Sequence, residues 1–179
     1  MSNTSHLFVF YVGGMIKGCH VELHDMRFAI GASAEDCWDD LRAQWWGEPK
    51  SLHLDAWGPL LHADGHDVTV SDQPAVNDDR LWFVNLGGYD PAQFTELHRN
   101  VFVVASDAQA AKKKAMEEIR GWASPHKDNV LDIDAVVDVA ATLFNGEQHL
   151  HLSPGPPKPF RFKTQYVPIG RMADKASRG

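Results

Sequence analysis

An octad that occurs twice constrains this chain more than any other feature. Leu7-Phe8-Val9-Phe10-Tyr11-Val12-Gly13-Gly14 returns as Leu81-Trp82-Phe83-Val84-Asn85-Leu86-Gly87-Gly88. Glu22-Leu23-His24 then returns as Glu96-Leu97-His98 at the same offset from its octad. Self-similarity of this kind marks a duplicated structural unit. Each octad is a continuous β-prone run closed by two glycines, the pattern of a strand buried on both faces.

Carried forward, the pattern predicts a β-β-α-β-β order in each copy. In the first, Arg27 to Gly31 is a second strand and Ser33 opens a helix, with Asp36 as the acidic partner of a capping box. Ala34, Trp38, Leu41 and Trp45 form its apolar stripe, and Gly47 and Pro49 stop it. Ser51 to Trp57 and His66 to Val70 supply two more strands around an Asp64-Gly65 turn. In the second copy, Val101 to Ala105 is the second strand and Ser106-Asp107 caps a helix striped with Ala108, Ala111, Ala115, Ile119 and Trp122. Val130 to Ile133 is the third strand, and Gln148 to Leu152 the last. Between them Val136, Val137, Ala140, Ala141 and Phe144 predict an extra helix over 134–144.

The fold class expected is therefore α+β: two tandem β-β-α-β-β repeats related by a pseudo-two-fold, with helices packed on one side of an antiparallel or mixed sheet. The repeats span 7–74 and 80–152, followed by a proline-containing basic extension over 153–179. Four prolines between Pro154 and Pro159 break regular pairing. Phe160, Phe162, Tyr166 and Val167 still need a surface, so 160–167 is expected to dock as an irregular strand.

Charge narrows the function classes. The chain of 179 residues has a formal charge of −7, and its first 74 residues, with four basic and eleven acidic side chains, already account for all of it. Concentrated Lys and Arg are what phosphate backbones require, so no nucleic-acid partner is expected. Leu7 to Met15 is too short to span a bilayer, so no membrane is expected either. Two cysteines without a CxxC pair imply a reducing, cytoplasmic compartment.

The double Glu-Leu-His carries the candidate chemistry. In an extended segment Glu22 and His24 point to one side, as do Glu96 and His98. A carboxylate beside an imidazole suits proton transfer, which makes these four the candidate catalytic groups. Two histidines with carboxylates also suit a divalent metal, with His20, His24 and His98 as candidate ligands. A structural role, anchoring the loop that follows each glycine pair, accounts for the same segments better and for their recurrence by itself. Gly13, Gly14, Gly87 and Gly88 are candidate ligand-binding positions, although no GxGxxG or P-loop pattern surrounds them. Trp46 lies off the helical stripe and is a candidate pocket wall or subunit contact. His53 and Asp55 share a strand face, as do His149 and His151. Three functions follow: a non-catalytic module for a small polar ligand or partner, which is preferred; an enzyme using the Glu–His pairs, with or without a metal; and an assembly module forming a homodimer.

The first copy also resembles a known family. Val12-Gly13-Gly14, Glu22-Leu23-His24-Asp25, Arg27-Phe28, Trp45-Trp46-Gly47 and Lys50-Ser51-Leu52-His53-Leu54-Asp55 are similar to a small bacterial family of domains of unknown function that occur singly or in tandem. The resemblance extends from about Leu7 to Leu152, with departures in the second copy: Arg99 stands for Asp25, Arg120 for Trp46 and Asp132 for His53. It implies a duplicated fold and brings no established catalytic residues with it.

Overall fold

The computed structural model describes residues 4–90, 92–118, 132–144 and 147–170. The chain divides into two compact units, one of residues 1–61, 143–148 and 158–179, the other of residues 62–142 and 149–157.

In the first unit β1 (His6–Gly14) lies between β2 (Leu23–Gly31) and β3 (His53–Pro59), and β10 (Lys163–Pro168) pairs with the outer edge of β3. Strand alternation sends Phe8, Phe10 and Val12 to one face. There they meet Ala29, Leu52, Leu54 and Ile169, beneath Ala34, Cys37 and Leu41 of a short helical segment. That segment is a 3-10 turn, Glu35–Cys37, running into α1 (Trp38–Gln44). Ser33 and Asp36 form the expected reciprocal cap: the Asp36 carboxylate accepts the Ser33 N–H and hydroxyl, both at 2.8 Å, and Ser33 Oγ accepts the Asp36 N–H at 3.4 Å. Full burial of each Leu or Phe contributes roughly 1.5–3 kcal/mol, which is why this face rather than the helix itself carries the stability.

In the second unit β6 (Arg80–Gly88) lies between β7 (Leu97–Ala105) and β8 (Asp132–Asp138), and α2 (Ala108–Glu118) sets Ala111 and Ala115 against Val84, Leu86 and Val103. A further sheet joins β4 (His62–Ala63), β5 (His66–Ser71) and β9 (His149–Pro154). The β4–β5 turn has positive φ at Asp64 (46°) and Gly65 (75°), the backbone that a tight two-residue hairpin requires. Asp64 also accepts the Val104 N–H at 2.8 Å and the Lys114 ammonium at 3.0 Å, which ties the hairpin to β7 and α2.

The expected fold class is corrected. Among the described residues every strand pairing is antiparallel. Strands dominate, in three sheets, and the two α-helices have only seven and eleven residues. Two β-β-α-β-β repeats covered by helices do not form. The last strands expected in the two copies, β5 and β9, pair with each other from His66↔Pro154 to Ser71↔His149. The extra helix over 134–144 is instead strand β8 and a 3-10 turn, Ala140–Thr142.

The helical spacing of Val136, Val137, Ala140, Ala141 and Phe144 is overridden by pairing of 132–138 with β6. That pairing contains a bulge: the register passes from Leu86↔Ile133 to Asn85↔Ala135 and skips Asp134, which leaves Ile133 and Val136, three apart, on the core side. The cap expected at Ser106 is also displaced. Asp107 accepts the Ala110 N–H at 2.9 Å, while Ser106 donates to the Asp107 carboxylate. Ile119, Trp122 and the first half of the strand expected over 130–133 lie outside the described residues, as do residues 171–179. The docking of 160–167 takes shape as β10, from Lys163↔Trp57 to Pro168↔His53. No helix among the described residues is long and apolar enough to cross a membrane.

Candidate metal centre

The two glycine octads become central strands with matching registers. Gly13 pairs with His24 on one side and His53 on the other; Gly87 pairs with His98 and Asp132. Glu22-Leu23-His24 thus leads into β2 opposite the glycine pair, which sets His24 beside Gly13.

In the first unit four charged or titratable groups converge. His24 Nε2 lies 3.1 Å from Asp55 Oδ2 and 3.6 Å from Glu22 Oε1. His53 Nε2 lies 3.5 Å from the same Asp55 oxygen and 3.6 Å from Glu22 Oε2. The two imidazoles are nearly perpendicular, at 84°. Tyr11 stacks on His24 with ring centroids 5.1 Å apart, and Tyr166 of β10 tilts over His53 at 4.5 Å. Burial and then the Asp55 charge push the Tyr11 phenol above its ordinary pKa.

Two backbone devices build this group. A second bulge, at Asp55, shifts the β1–β3 register between Tyr11↔Ala56 and Val12↔Leu54, and it aims the carboxylate at both imidazoles. Gly13 provides the room: a Cβ there would stand 2.5 Å from His53 Nε2 and 2.9 Å from His24 Cδ2. Close approach of side chains over a bare strand is the use of this glycine.

His53 is the decisive residue. It is only 2% exposed, and its Nδ1 lies 2.8 Å from the Ser51 carbonyl. A carbonyl only accepts, so Nδ1 carries the hydrogen and Nε2 of the neutral ring presents a lone pair. Neither His53 Nε2 nor Asp55 Oδ2, both buried, makes a hydrogen bond. Groups so placed cost roughly 1–3 kcal/mol each when left unsatisfied. A cation between them removes that cost.

The second unit repeats the glycine, the bulge and the Glu-x-His, yet builds a different group. His98 Nε2 lies 3.6 Å from Glu96 and 3.4 Å from Asp134. Tyr89 donates to Glu96; that bond and the neighbouring carboxylates raise its pKa. All of these side chains are substantially exposed, and one imidazole stands where the first unit has two.

Of the candidates read from sequence, Glu22 and His24 come together, as do Glu96 and His98, each pair within its own unit and with its own partners. His20 is exposed and belongs to neither group. Gly14 lies against Trp45 and Ser51, away from the imidazoles. Gly88 is buried at the end of β6. Trp46 stacks on Trp45 and stays half exposed. His151 is engaged by the Gln73 carbonyl at 2.7 Å. His53 and Asp55, singled out only as sharing a strand face, complete the cluster of the first unit. Their signal was a His-x-Asp in the strand expected over Ser51 to Trp57.

No curated protein matches the chain. Among solved structures it is similar to the crystal structure of a protein Il1583 from Idiomarina loihiensis, with a TM-score of 0.68 and 28% identity over 94% of this chain and 99% of that one. All four residues of the first site lie within residues 19–70, the stretch that matches a family model described as Domain of Unknown Function (DUF1543).

Proposed function

We propose that the first unit binds a divalent transition-metal ion through His24, His53, Asp55 and Glu22. One observation carries this reading: a buried histidine whose outer nitrogen is fixed by a backbone carbonyl and whose inner nitrogen faces carboxylates without a hydrogen bond. Metal-ligating histidines are held in this way, the carbonyl setting the tautomer and the ring direction. The spacing supports it as well. Ligands about 2.0–2.1 Å from a tetrahedral ion stand about 3.3–3.4 Å from one another. The four nitrogen–oxygen separations here run from 3.1 to 3.6 Å. Two imidazoles with carboxylates and no thiolate favour zinc or a neighbouring first-row ion over magnesium, which prefers an all-oxygen octahedron.

His24, His53 and Asp55 come from paired strands and form the rigid part of the set. Glu22, on the approach to β2, completes it. A metal so held polarises a bound carbonyl or lowers the pKa of a bound water. Two unpaired cysteines, Cys19 and Cys37, fit the reducing cytoplasm, where such a site competes for metal without disulfide support.

Calorimetric titration of tag-free, chelator-treated protein tests the reading. Zinc is expected to bind once per chain at the first site, with magnesium silent. Asp55→Asn, at a partly exposed carboxylate, is expected to keep the fold and lose at least about tenfold in zinc affinity, and His53→Ala to lose more. Unchanged zinc affinity in both folded variants would overturn the proposal.

A further inference from the structure

We propose that the centre takes a small molecule carrying an aromatic ring and a metal-coordinating oxygen head; this rests on the metal reading above. Beside the cluster, on the same sheet face, lies a pocket of about 150 Å³ lined by Val9, Tyr11, Ala56, Trp57, Phe160 and Phe162. Tyr11 belongs to both places: it stacks on His24 and lines the pocket. Ala56 follows Asp55 directly and pairs with Tyr11 across β1 and β3. Along the strand Tyr11 is two residues from Gly13, or about 7 Å, the length of a phenyl ring with its attached head group.

The aromatic residues are not explained by the core. Phe162 is 58% exposed and Tyr166 64%, yet Phe160 and Phe162 pack together at 5.6 Å beside the pocket and Tyr166 covers His53. All three come from one C-terminal segment. The register between β10 and β3 shifts between Thr164 and Val167, opposite Asp55, where Tyr166 is delivered to His53. Among the described residues of the second unit, the sheet built on β6 is β7-β6-β8, with no corresponding fourth strand. The aromatic wall thus accompanies the site that has two imidazoles.

Size and charge define the ligand. An open apolar surface pocket of about 150 Å³ has room for one benzene-sized ring against its wall. Two carboxylates neutralise a divalent ion, so the added head is neutral or singly negative. Zinc admits it by expanding to five ligands or by release of Glu22, whose side chain is 45% exposed.

The test uses full-length, zinc-loaded protein and two probes with the same head, benzohydroxamate and acetohydroxamate. The ring is expected to improve affinity by about tenfold or more. Phe162→Ala is expected to bring the two affinities together while zinc and acetohydroxamate still bind as in the parent, which also reports an intact fold. Equal affinities in the parent protein, or a preference that survives Phe160→Ala/Phe162→Ala, would overturn this inference alone. Failure of the parent to load zinc would overturn the metal reading and this one with it.

Discussion

Replacing Gly13 by alanine isolates the device on which the first site depends. The added Cβ would stand 2.5 Å from His53 Nε2, whereas ordinary contact begins near 3.4 Å, so something must move by roughly 0.9 Å. His53 has little freedom to do so: it is buried, held to the Ser51 carbonyl and covered by Tyr166. Overpacking of this kind costs about 1–3 kcal/mol. For a chain of this length each kcal/mol lowers Tm by about 2–4 °C, so Gly13→Ala is expected to melt roughly 2–12 °C lower. The metal response is the sharper readout. Zinc at 100 times its Kd stabilises the parent by about 2.7 kcal/mol, or roughly 5–11 °C, and the variant should lose most of that increment because its ligands no longer converge. Gly87→Ala is the matched control. There the new Cβ would meet Asp134 Oδ2 at 2.5 Å and Glu96 Oε1 at 2.7 Å, ends of exposed side chains that swing away at little cost. Thermal melts of the three proteins with and without zinc decide the matter. A Gly13→Ala protein with parental Tm and a parental zinc increment would refute the reasoning.

The two cysteines should behave differently toward a thiol reagent. Cys19 reacts in the native protein, while Cys37, fully buried and with its thiol pushed up to about 12 by burial and then by Asp40, Asp36 and Glu35, reacts only on unfolding. Because the folded state holds that proton more tightly, Cys37 subtracts stability as pH rises from about 9 toward 12; a Cys37→Ala protein with the same alkaline stability slope would contradict this. Asp107→Ala should destabilise α2 more than Ser106→Ala, read by amide exchange at Ala110 and Ala111, and equal effects would return the cap to Ser106. The Asp107 carboxyl is held below its usual range chiefly by the Ala110 N–H, so its contribution is present above the unfolded pKa and lost as pH falls through the folded one.

Much of the strand framework was legible because alternation and turn chemistry act locally. The octads, the Asp64-Gly65 hairpin and the stripe of Ala34, Leu41 and Trp45 need no distant partner to declare themselves. What failed was the region after Ile133, where Val136, Val137, Ala140, Ala141 and Phe144 stand at helical spacing although the chain there is strand β8 followed by a 3-10 turn. The bulges at Asp55 and Asp134 are defined only by pairing with a central strand, and so leave no local mark in the sequence. The Glu-x-His pairs were visible for the same reason as the strands, while the partnership of His24 with His53 and Asp55 is a cross-strand fact set by register. Trp46 was marked by its place off the helical stripe and His20 by its nearness in sequence to Glu22 and His24, and neither belongs to the cluster.

The two units together show what the glycine, the bulge and the Glu-x-His do and do not determine. They bring a carboxylate and an imidazole to one point in both copies, since Asp55 and Asp134 occupy the skipped position and His24 and His98 the same rung. They do not determine the character of the point. That depends on what else reaches it. In the first unit His53, across the glycine from His24, adds a second imidazole that is buried, oriented by the Ser51 carbonyl and covered by Tyr166, while Tyr11 stacks on His24. In the second unit the described cluster has His98 alone as its imidazole, about half exposed, with Glu96 and Asp134 also in contact with water. The same glycine, bulge and Glu-x-His thus serve an enclosed pair of imidazoles in one unit and an exposed carboxylate–imidazole group in the other.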